Sequence, residues 1–375
     1  MTSTDARLDQ IRGWGPPRAH NARTIAALTT NPGCARRAVM DAAGVDKERL
    51  ATHIGYPPRF GQSRFAITRG NAFEALVKAN GCAELLRLLR ERLDLPVDDV
   101  GYDDLEAVGD QVSQDVRHAR TRSLLARAVA AGEDAGTLFD HPLLRLEVGG
   151  RHVYLEPDLI AFRVRGRFHI VEIKSFPVID GQADPGKVAA AATQSAVYVL
   201  ALRRLLEELD ADPATVSHEV VLVCPENFAN RPTATLVDVR KQLAVLRRQL
   251  DRLTRVETLV ARLPAELTLD LAPDRDGTPT RPADDLVEAL GRIDARYAPD
   301  CLSTCDLAFF CRHEAHGSTG ALGRSVREEL GGVDRVDTVL GLAAGTVRPS
   351  DDQSEAAALL HAAARLRREC LGGAG

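Results

Sequence analysis

The sequence contains little lysine. Five lysines stand among its 48 basic residues, and they are Lys47, Lys78, Lys174, Lys187 and Lys241. Arginine supplies the other positive charges. An arginine stays charged in almost any setting, whereas the pKa of a lysine shifts readily on burial. Each lysine that is kept in this background is therefore a candidate for a special role.

The sequence also lacks the marks of a membrane or secreted protein. No apolar run is long enough to cross a bilayer, and the polar segment from Met1 to Gly13 has no signal-peptide core. We expect a cytoplasmic protein with no membrane partner. Disulfides are not expected in that compartment, so the seven cysteines are candidates for metal binding.

Length and composition indicate a soluble globular chain. Its 375 residues suit one large domain or two modest ones, and 45% of them are hydrophobic. The net charge of −5 counts mildly against nucleic-acid binding. It does not exclude such binding, because a local basic groove can recruit DNA.

Alternating apolar residues and turn signals predict a run of short strands in the middle of the chain. Gly149-Gly150 and Arg165-Gly166 stand where hairpin turns are needed. The predicted strands are Leu143–Val148, Arg151–Glu156, Leu159–Val164, Phe168–Lys174 and Glu219–Cys224. Amphipathic segments predict helices over residues 22–28, 35–43, 70–79, 83–93, 105–131 and 188–208.

A long helix is predicted from Thr235 to Leu263. Leucine and valine recur there at spacings of three and four, which is typical of a coiled-coil seam. The other faces carry Arg240, Lys241 and further arginines. We favour an ordinary solvated face there over a surface that follows DNA.

The most informative stretch joins Pro157-Asp158 to Glu172-Ile173-Lys174. Residues two apart on a strand point to the same face, so Glu172 and Lys174 project together with Ile173 opposite. The intervening hairpin brings Asp158 near Glu172. Two carboxylates on neighbouring strands make a site for a hard divalent cation, and phosphodiester hydrolysis needs such a cation. An ordinary charged surface hairpin is the plain alternative.

At this stretch the chain resembles the PD-(D/E)XK nuclease superfamily. The resemblance implies that Asp158 and Glu172 bind Mg²⁺ or Mn²⁺ and that Lys174 assists the attacking water. Gln194 and Tyr198 match the Gln-x-x-x-Tyr motif of RecB-like nucleases, and their spacing puts both on one helical face. Glu74, in Arg69-Gly70-Asn71-Ala72-Phe73-Glu74, matches the helix that delivers a further metal ligand.

Three cysteines lie within eleven residues, at Cys301, Cys305 and Cys311. Four thiolates suit zinc or an iron–sulfur cluster, and Cys34 is the best candidate for the fourth. This arrangement, with one cysteine before the core and three after it, resembles that of the iron–sulfur RecB-like nucleases. The resemblance implies a [4Fe–4S] cluster that joins the chain ends. A zinc site completed by His313 or His316 is the alternative.

A phosphate-loop lookalike runs from Gly181 to Val188. It has valine where such a loop needs Ser or Thr for magnesium, and Pro185 removes a backbone donor. With no ATPase motif visible, any unwinding would need a helicase or another protein partner.

The fold expected is α/β, with a small mixed sheet flanked by helices in a PD-(D/E)XK core. We expect an N-terminal helical segment over 1–69, the nuclease core over 70–265, the linker and cysteine cluster over 266–319 and a helical tail over 320–375. The function expected is metal-dependent DNA cleavage, exonucleolytic rather than endonucleolytic. The substrate would be single-stranded DNA or duplex ends, in repair, recombination or antiviral defence. A catalytically silent DNA-binding or scaffold subunit is the competing class.

Overall fold

The structure, a computed structural model, describes residues 3–58, 64–93, 101–105, 113–131, 137–164, 166–227 and 229–372. The chain folds into two compact units. The first comprises Met1–Pro16, Gly33–Phe60 and Arg262–Gly375, and the second comprises Pro17–Pro32 and Gly61–Ala261. Within the described residues, no helix is both long and apolar enough to span a bilayer.

The first unit is built from helices. Its elements are α1 (Ser3–Arg12), α3 (Ala35–Ala43), α4 (Lys47–His53), α10 (Ala283–Gly291), α11 (Cys301–Thr304), α12 (Ala308–Glu314), α13 (Arg324–Glu329), α14 (Val336–Ala344) and α15 (Ser354–Gly372). Three of these helices, α13 to α15, lie after residue 320. Val333, Val339, Leu342 and Ala357 form a small apolar core among the tail helices.

The second unit contains a six-stranded mixed sheet with strand order β1-β2-β5-β6-β7-β8, and a separate hairpin of β3 and β4. The strands are β1 (Gly101–Asp104), β2 (Thr137–Asp140), β3 (Leu144–Val148), β4 (Arg151–Leu155), β5 (Leu159–Val164), β6 (Arg167–Ile173), β7 (Glu219–Pro225) and β8 (Pro232–Asp238). β1 and β2 pair in parallel, as do β6 and β7, and the other neighbours are antiparallel.

Helices cover both faces of this sheet, so the expected α/β fold with a flanked mixed sheet is confirmed at that level. They are α2 (Ala22–Thr30), α5 (Arg64–Leu93), α6 (Gln114–Ala130), α7 (Pro185–Glu208), α8 (Arg240–Leu250) and α9 (Val256–Val260). On β6, Phe168 and Ile170 join the core with α7, whereas Val171 and Ile173 join the core with α5. Full burial of such a side chain contributes about 1.5–3 kcal/mol, which fixes the register of β6.

The two helices predicted over 70–79 and 83–93 form one interrupted element, α5. The chain leaves helical geometry at Ala79, and Asn80, Gly81 and Cys82 adopt left-handed backbone angles. Gly81 takes this conformation without strain, but Cys82 does not. Cys82 is completely buried in the core with Leu85, and that packing holds the break in place.

The prediction of one long helix from Thr235 to Leu263 is wrong. Pro232–Asp238 is strand β8, which pairs along its whole length with β7. Asp238 then accepts a hydrogen bond from the Arg240 backbone N–H, at the start of α8. Of the apolar seam predicted for that helix, Leu243 and Leu246 do lie on a buried face of α8. The leucine spacing favours a helix locally, but pairing with β7 stabilises a strand here instead.

Besides β8, two further strands were not predicted. β1 and β2 are four residues each, too short for a clear alternation. The helix predicted over 105–131 begins at Gln114 in the structure, and residues 106–112 lie outside the described residues.

Candidate active site and cysteine centre

The candidate acidic site lies where β5 begins and β6 ends. Asp158 immediately precedes β5, Glu172 lies near the end of β6, and Lys174 directly follows that strand. The Ile173 backbone N–H donates to Asp158 Oδ2 over 2.7 Å, so the two carboxylates lie side by side. Ile173 itself packs in the core on the opposite face. The structure thus brings together the three residues that the motif predicted.

Glu172 is fully buried, with 0% of its surface exposed. Its Oε1 forms an ion pair with Lys174 Nζ. Within the described residues, its Oε2 has no hydrogen-bond partner. Buried carboxylate oxygens without such bonds are costly. They are also oxygens that a divalent cation could use directly.

The charges of this trio are out of balance. Burial, followed by the neighbouring Asp158, raises the pKa of Glu172 to about 8, and burial also raises the pKa of Asp158. Burial lowers the pKa of Lys174, but the two carboxylates outweigh it and the net shift is upward. One fully buried and one partly buried carboxylate face a single ammonium group, so a proton or a metal ion that balances the charge is favoured there.

Glu74 approaches the same region from α5. Its Oε1 lies 2.6 Å from Lys78 Nζ and 3.3 Å from His141 Nε2. The hydrogen bond with His141 is the main cause that lowers the pKa of Glu74 to about 2. Lys78 also lies 3.3 Å from the carbonyl oxygen of Asp158. Glu74 is therefore connected to Asp158 through one lysine.

Around Glu74 the structure reveals residues that the sequence reading did not assign. Lys78 Nζ lies 2.7 Å from Asp140 Oδ1, and Tyr102 donates its hydroxyl hydrogen to Asp140 Oδ2. Burial lowers the pKa of His141, but hydrogen bonds with Asp140 and Glu74 outweigh it and raise that pKa to about 10. The scarcity of lysine was the one available signal, and it marked Lys78 together with the other four lysines. Tyr102 and Asp140 lie on β1 and β2, which were not predicted.

Among the described residues, Asp104, Asp140 and His141 form a group whose ligand atoms lie within 4.8 Å of one another. This triad is a candidate metal site. Lys78 and a protonated His141 already supply positive charge to it. A metal ion there would have to displace the proton of His141 before the ring could act as a ligand.

Gln194 and Tyr198 share one face of α7, as predicted. Gln194 Nε2 donates to the Tyr198 hydroxyl oxygen over 3.2 Å. Tyr198 is 4% exposed, and burial, then the charge of Glu172, raises its pKa well above 10. The tyrosine therefore stays protonated beside the acidic site and can donate a hydrogen bond.

The cysteine centre comprises Cys34, Cys301, Cys305 and Cys311, and all four belong to the first unit. Cys34 precedes α3, Cys301 begins α11 and Cys311 lies on α12. Burial raises the pKa of Cys311 to about 12, and Cys305 and Cys34 add to the rise. Three of the thiols are thus close enough to affect one another, although Cys34 is remote in sequence. These sulfur atoms are not part of the group that meets the 4.8 Å spacing within the described residues.

Comparisons with known proteins identify no family. No family model matches the chain, and no curated protein matches it. The solved structure of a protein from Eubacterium rectale, provisionally assigned as an exonuclease, is similar to this chain at 11% identity and a TM-score of 0.31. The match covers 68% of this chain and 84% of that one. The solved structure of SSO0001 is similar at 14% identity and a TM-score of 0.19, over 45% of this chain and 84% of that one. Likeness at this level decides nothing about activity, so the functional argument depends on the site itself.

Proposed function

We propose that this protein is a metal-dependent deoxyribonuclease of the PD-(D/E)XK type, with a RecB-like arrangement of its site. The observation that carries the proposal is Glu172, a fully buried carboxylate whose Oε1 contacts only Lys174 and whose Oε2 has no hydrogen-bond partner among the described residues. It lies beside Asp158 and Lys174, in the order that the motif requires. A purely structural carboxylate would be expected to have its hydrogen bonds satisfied.

The chemistry of the proposed donors suits Mg²⁺ or Mn²⁺, although among the described residues the spacing of 4.8 Å is met by Asp104, Asp140 and His141 and not by this set. Asp158, Glu172 and Glu74 would hold the ion, since hard cations prefer carboxylate oxygens. Such an ion, when bound, activates water and neutralises charge on the phosphate. Lys174, held beside Glu172, would orient the attacking water. Tyr198 and Gln194 would donate hydrogen bonds to the DNA strand from α7.

The cysteine centre would hold a [4Fe–4S] cluster of structural role. The chemistry of four cysteines gathered in one unit fits the cluster. Zinc is the alternative metal, because four thiolates also suit it. Analysis of iron, sulfide and zinc in protein purified without oxygen separates the two.

The proposed substrate is single-stranded DNA or duplex ends, cut by an exonuclease. A helicase or other protein would supply unwinding. The competing candidate, a catalytically silent DNA-binding or scaffold subunit, is favoured by the protonated state of His141 and the full pairing of Lys78, which stabilise the region around Glu74 without metal.

The test is cleavage of end-labelled single-stranded and duplex DNA in Mn²⁺ or Mg²⁺. The wild type is compared with Glu172→Gln and with Glu219→Gln, which changes an exposed glutamate on the adjacent strand. We expect cleavage by the wild type and the Glu219 variant, and loss of about 100-fold or more in the Glu172 variant. DNA binding without cleavage by the wild type would support the scaffold function. Equal cleavage by all three proteins would show that the assigned site is wrong.

A further inference from the structure

Arg36 is a buried arginine two residues after Cys34, and only 3% of its surface is exposed. A buried guanidinium group is costly unless its donors are satisfied. Its five N–H donors all have partners. Nε donates to the Ile293 carbonyl oxygen over 3.2 Å, and Nη2 donates to the Leu290 carbonyl oxygen over 2.7 Å and to Glu314 over 3.1 Å. Nη1 donates to Glu314 and to Cys311 Sγ, the latter over 3.4 Å.

These contacts join three segments that are distant in sequence. Leu290 lies in the last turn of α10, Ile293 lies two residues after that helix, and Cys311 and Glu314 lie on α12. The Arg36 backbone N–H adds a hydrogen bond to Asp294 of 2.8 Å. One side chain therefore fixes the position of Cys311 relative to the helix that begins next to Cys34.

Arg37 fixes the backbone next to Cys305, as Arg36 fixes the side chain of Cys311. It is 4% exposed, and its Nη2 donates to the Thr304 carbonyl oxygen over 2.6 Å. Thr304 directly precedes Cys305. The pair of arginines that follows Cys34 thus holds the backbone before Cys305 and the side chain of Cys311.

We infer that Arg36 is a positioning residue of the cysteine centre, which places Cys311 for metal binding and donates an N–H···S hydrogen bond to it. This inference rests on the proposed function, since it presupposes a metal or cluster on the cysteines. Hydrogen bonds to ligating sulfur help set the reduction potential of iron–sulfur clusters. Groups that orient ligands commonly control how tightly the metal is held. A cation that donates to sulfur favours the more negative, reduced cluster.

The test uses full-length protein purified without oxygen. Arg36→Met removes all five N–H donors. Arg36→Lys keeps the positive charge without the planar guanidinium group, and it replaces the methionine variant in the test if that variant does not fold. Arg312→Met removes an exposed arginine next to Cys311 and is the matched control. The measurements are iron, sulfide and zinc content, the rate of metal release to a chelator, and the reduction potential followed by electron paramagnetic resonance.

We expect metal release about 10-fold faster or more in Arg36→Met and a lower reduction potential. Arg36→Lys should be intermediate and Arg312→Met should match the wild type. Glu314→Gln breaks the ion pair but keeps the sulfur contact, so it should not lower the potential. If Glu314→Gln reproduces Arg36→Met, or if Arg312→Met does, the inference is overturned and the role of Arg36 is structural. A wild type without any metal would instead refute the cluster itself, and the inference with it.

Discussion

Replacing Glu172 by glutamine should stabilise the metal-free protein while abolishing its response to metal. Glu172 is fully buried, and burial raises its pKa from 4.5 to about 8. Glutamine has nearly the same shape and no charge. The substitution therefore removes the cost of keeping an acid in this position, and Asp158 remains as a partner for Lys174.

The pH dependence follows from proton binding. Between pH 4.5 and 8 the folded chain keeps a proton on Glu172 that the unfolded chain releases, so the free energy of unfolding falls as pH rises through this window. Each pKa unit corresponds to about 1.4 kcal/mol, which makes the cost about 3 kcal/mol at pH 7. The glutamine variant lacks this term, and its advantage over the wild type should grow from pH 5 to pH 8.

With metal present, the wild type should become more stable to unfolding than the Glu172→Gln variant. Binding to the folded state alone stabilises the wild type by about 2.7 kcal/mol at 100 times the dissociation constant, and the variant lacks a ligand for it. The assay is urea unfolding at several pH values with and without Mn²⁺, beside Glu219→Gln. That control should stay within about 0.5 kcal/mol of the wild type. A wild type that is more stable than the Glu172 variant at pH 8 without metal would refute the reasoning.

Three further outcomes are expected. Lys78→Met removes one of the two cations that Glu74 and Asp140 share, the other being His141, and should cost about 3 kcal/mol in metal-free unfolding, whereas the exposed Lys241→Met should not. Burial lowers the pKa of His169, so its stability contribution is present above the ordinary value of 6.5 and is lost as pH falls. His169→Gln should therefore flatten the decline of melting temperature from pH 7.5 to 5.5, and an unchanged slope would contradict this. Cys34→Ser should lower bound iron and melting temperature together, and Cys370→Ser, at an exposed cysteine, should change neither.

The motif residues could be placed from the sequence because their geometry is local. Glu172 and Lys174 are two apart on one strand, and Gln194 and Tyr198 are four apart on one helix, so the backbone period alone sets their faces. The gathering of Cys34 with the C-terminal cysteines in one unit was expected from the resemblance. Asp140 and Tyr102 could not be placed, because Tyr102 reaches Asp140 only through the parallel pairing of β1 and β2. Pairing of that kind depends on distant segments, and so does β8, where a good helical pattern became a strand.

The positions of the few lysines relate the composition of the chain to the acidic site. Lys174 pairs with Glu172, Lys78 with Asp140, and Lys47 with Asp41, and each of these carboxylates is buried. The other two lysines are exposed. A compact ammonium group suits a narrow setting of converging oxygens, whereas the planar fork of arginine suits carbonyl and carboxylate partners spread in one plane, as at Arg36. In a chain that otherwise uses arginine, lysine is thus kept where buried carboxylates need a small counter-charge. Two of those three lysines, Lys174 and Lys78, lie beside the proposed metal ligands Glu172 and Glu74.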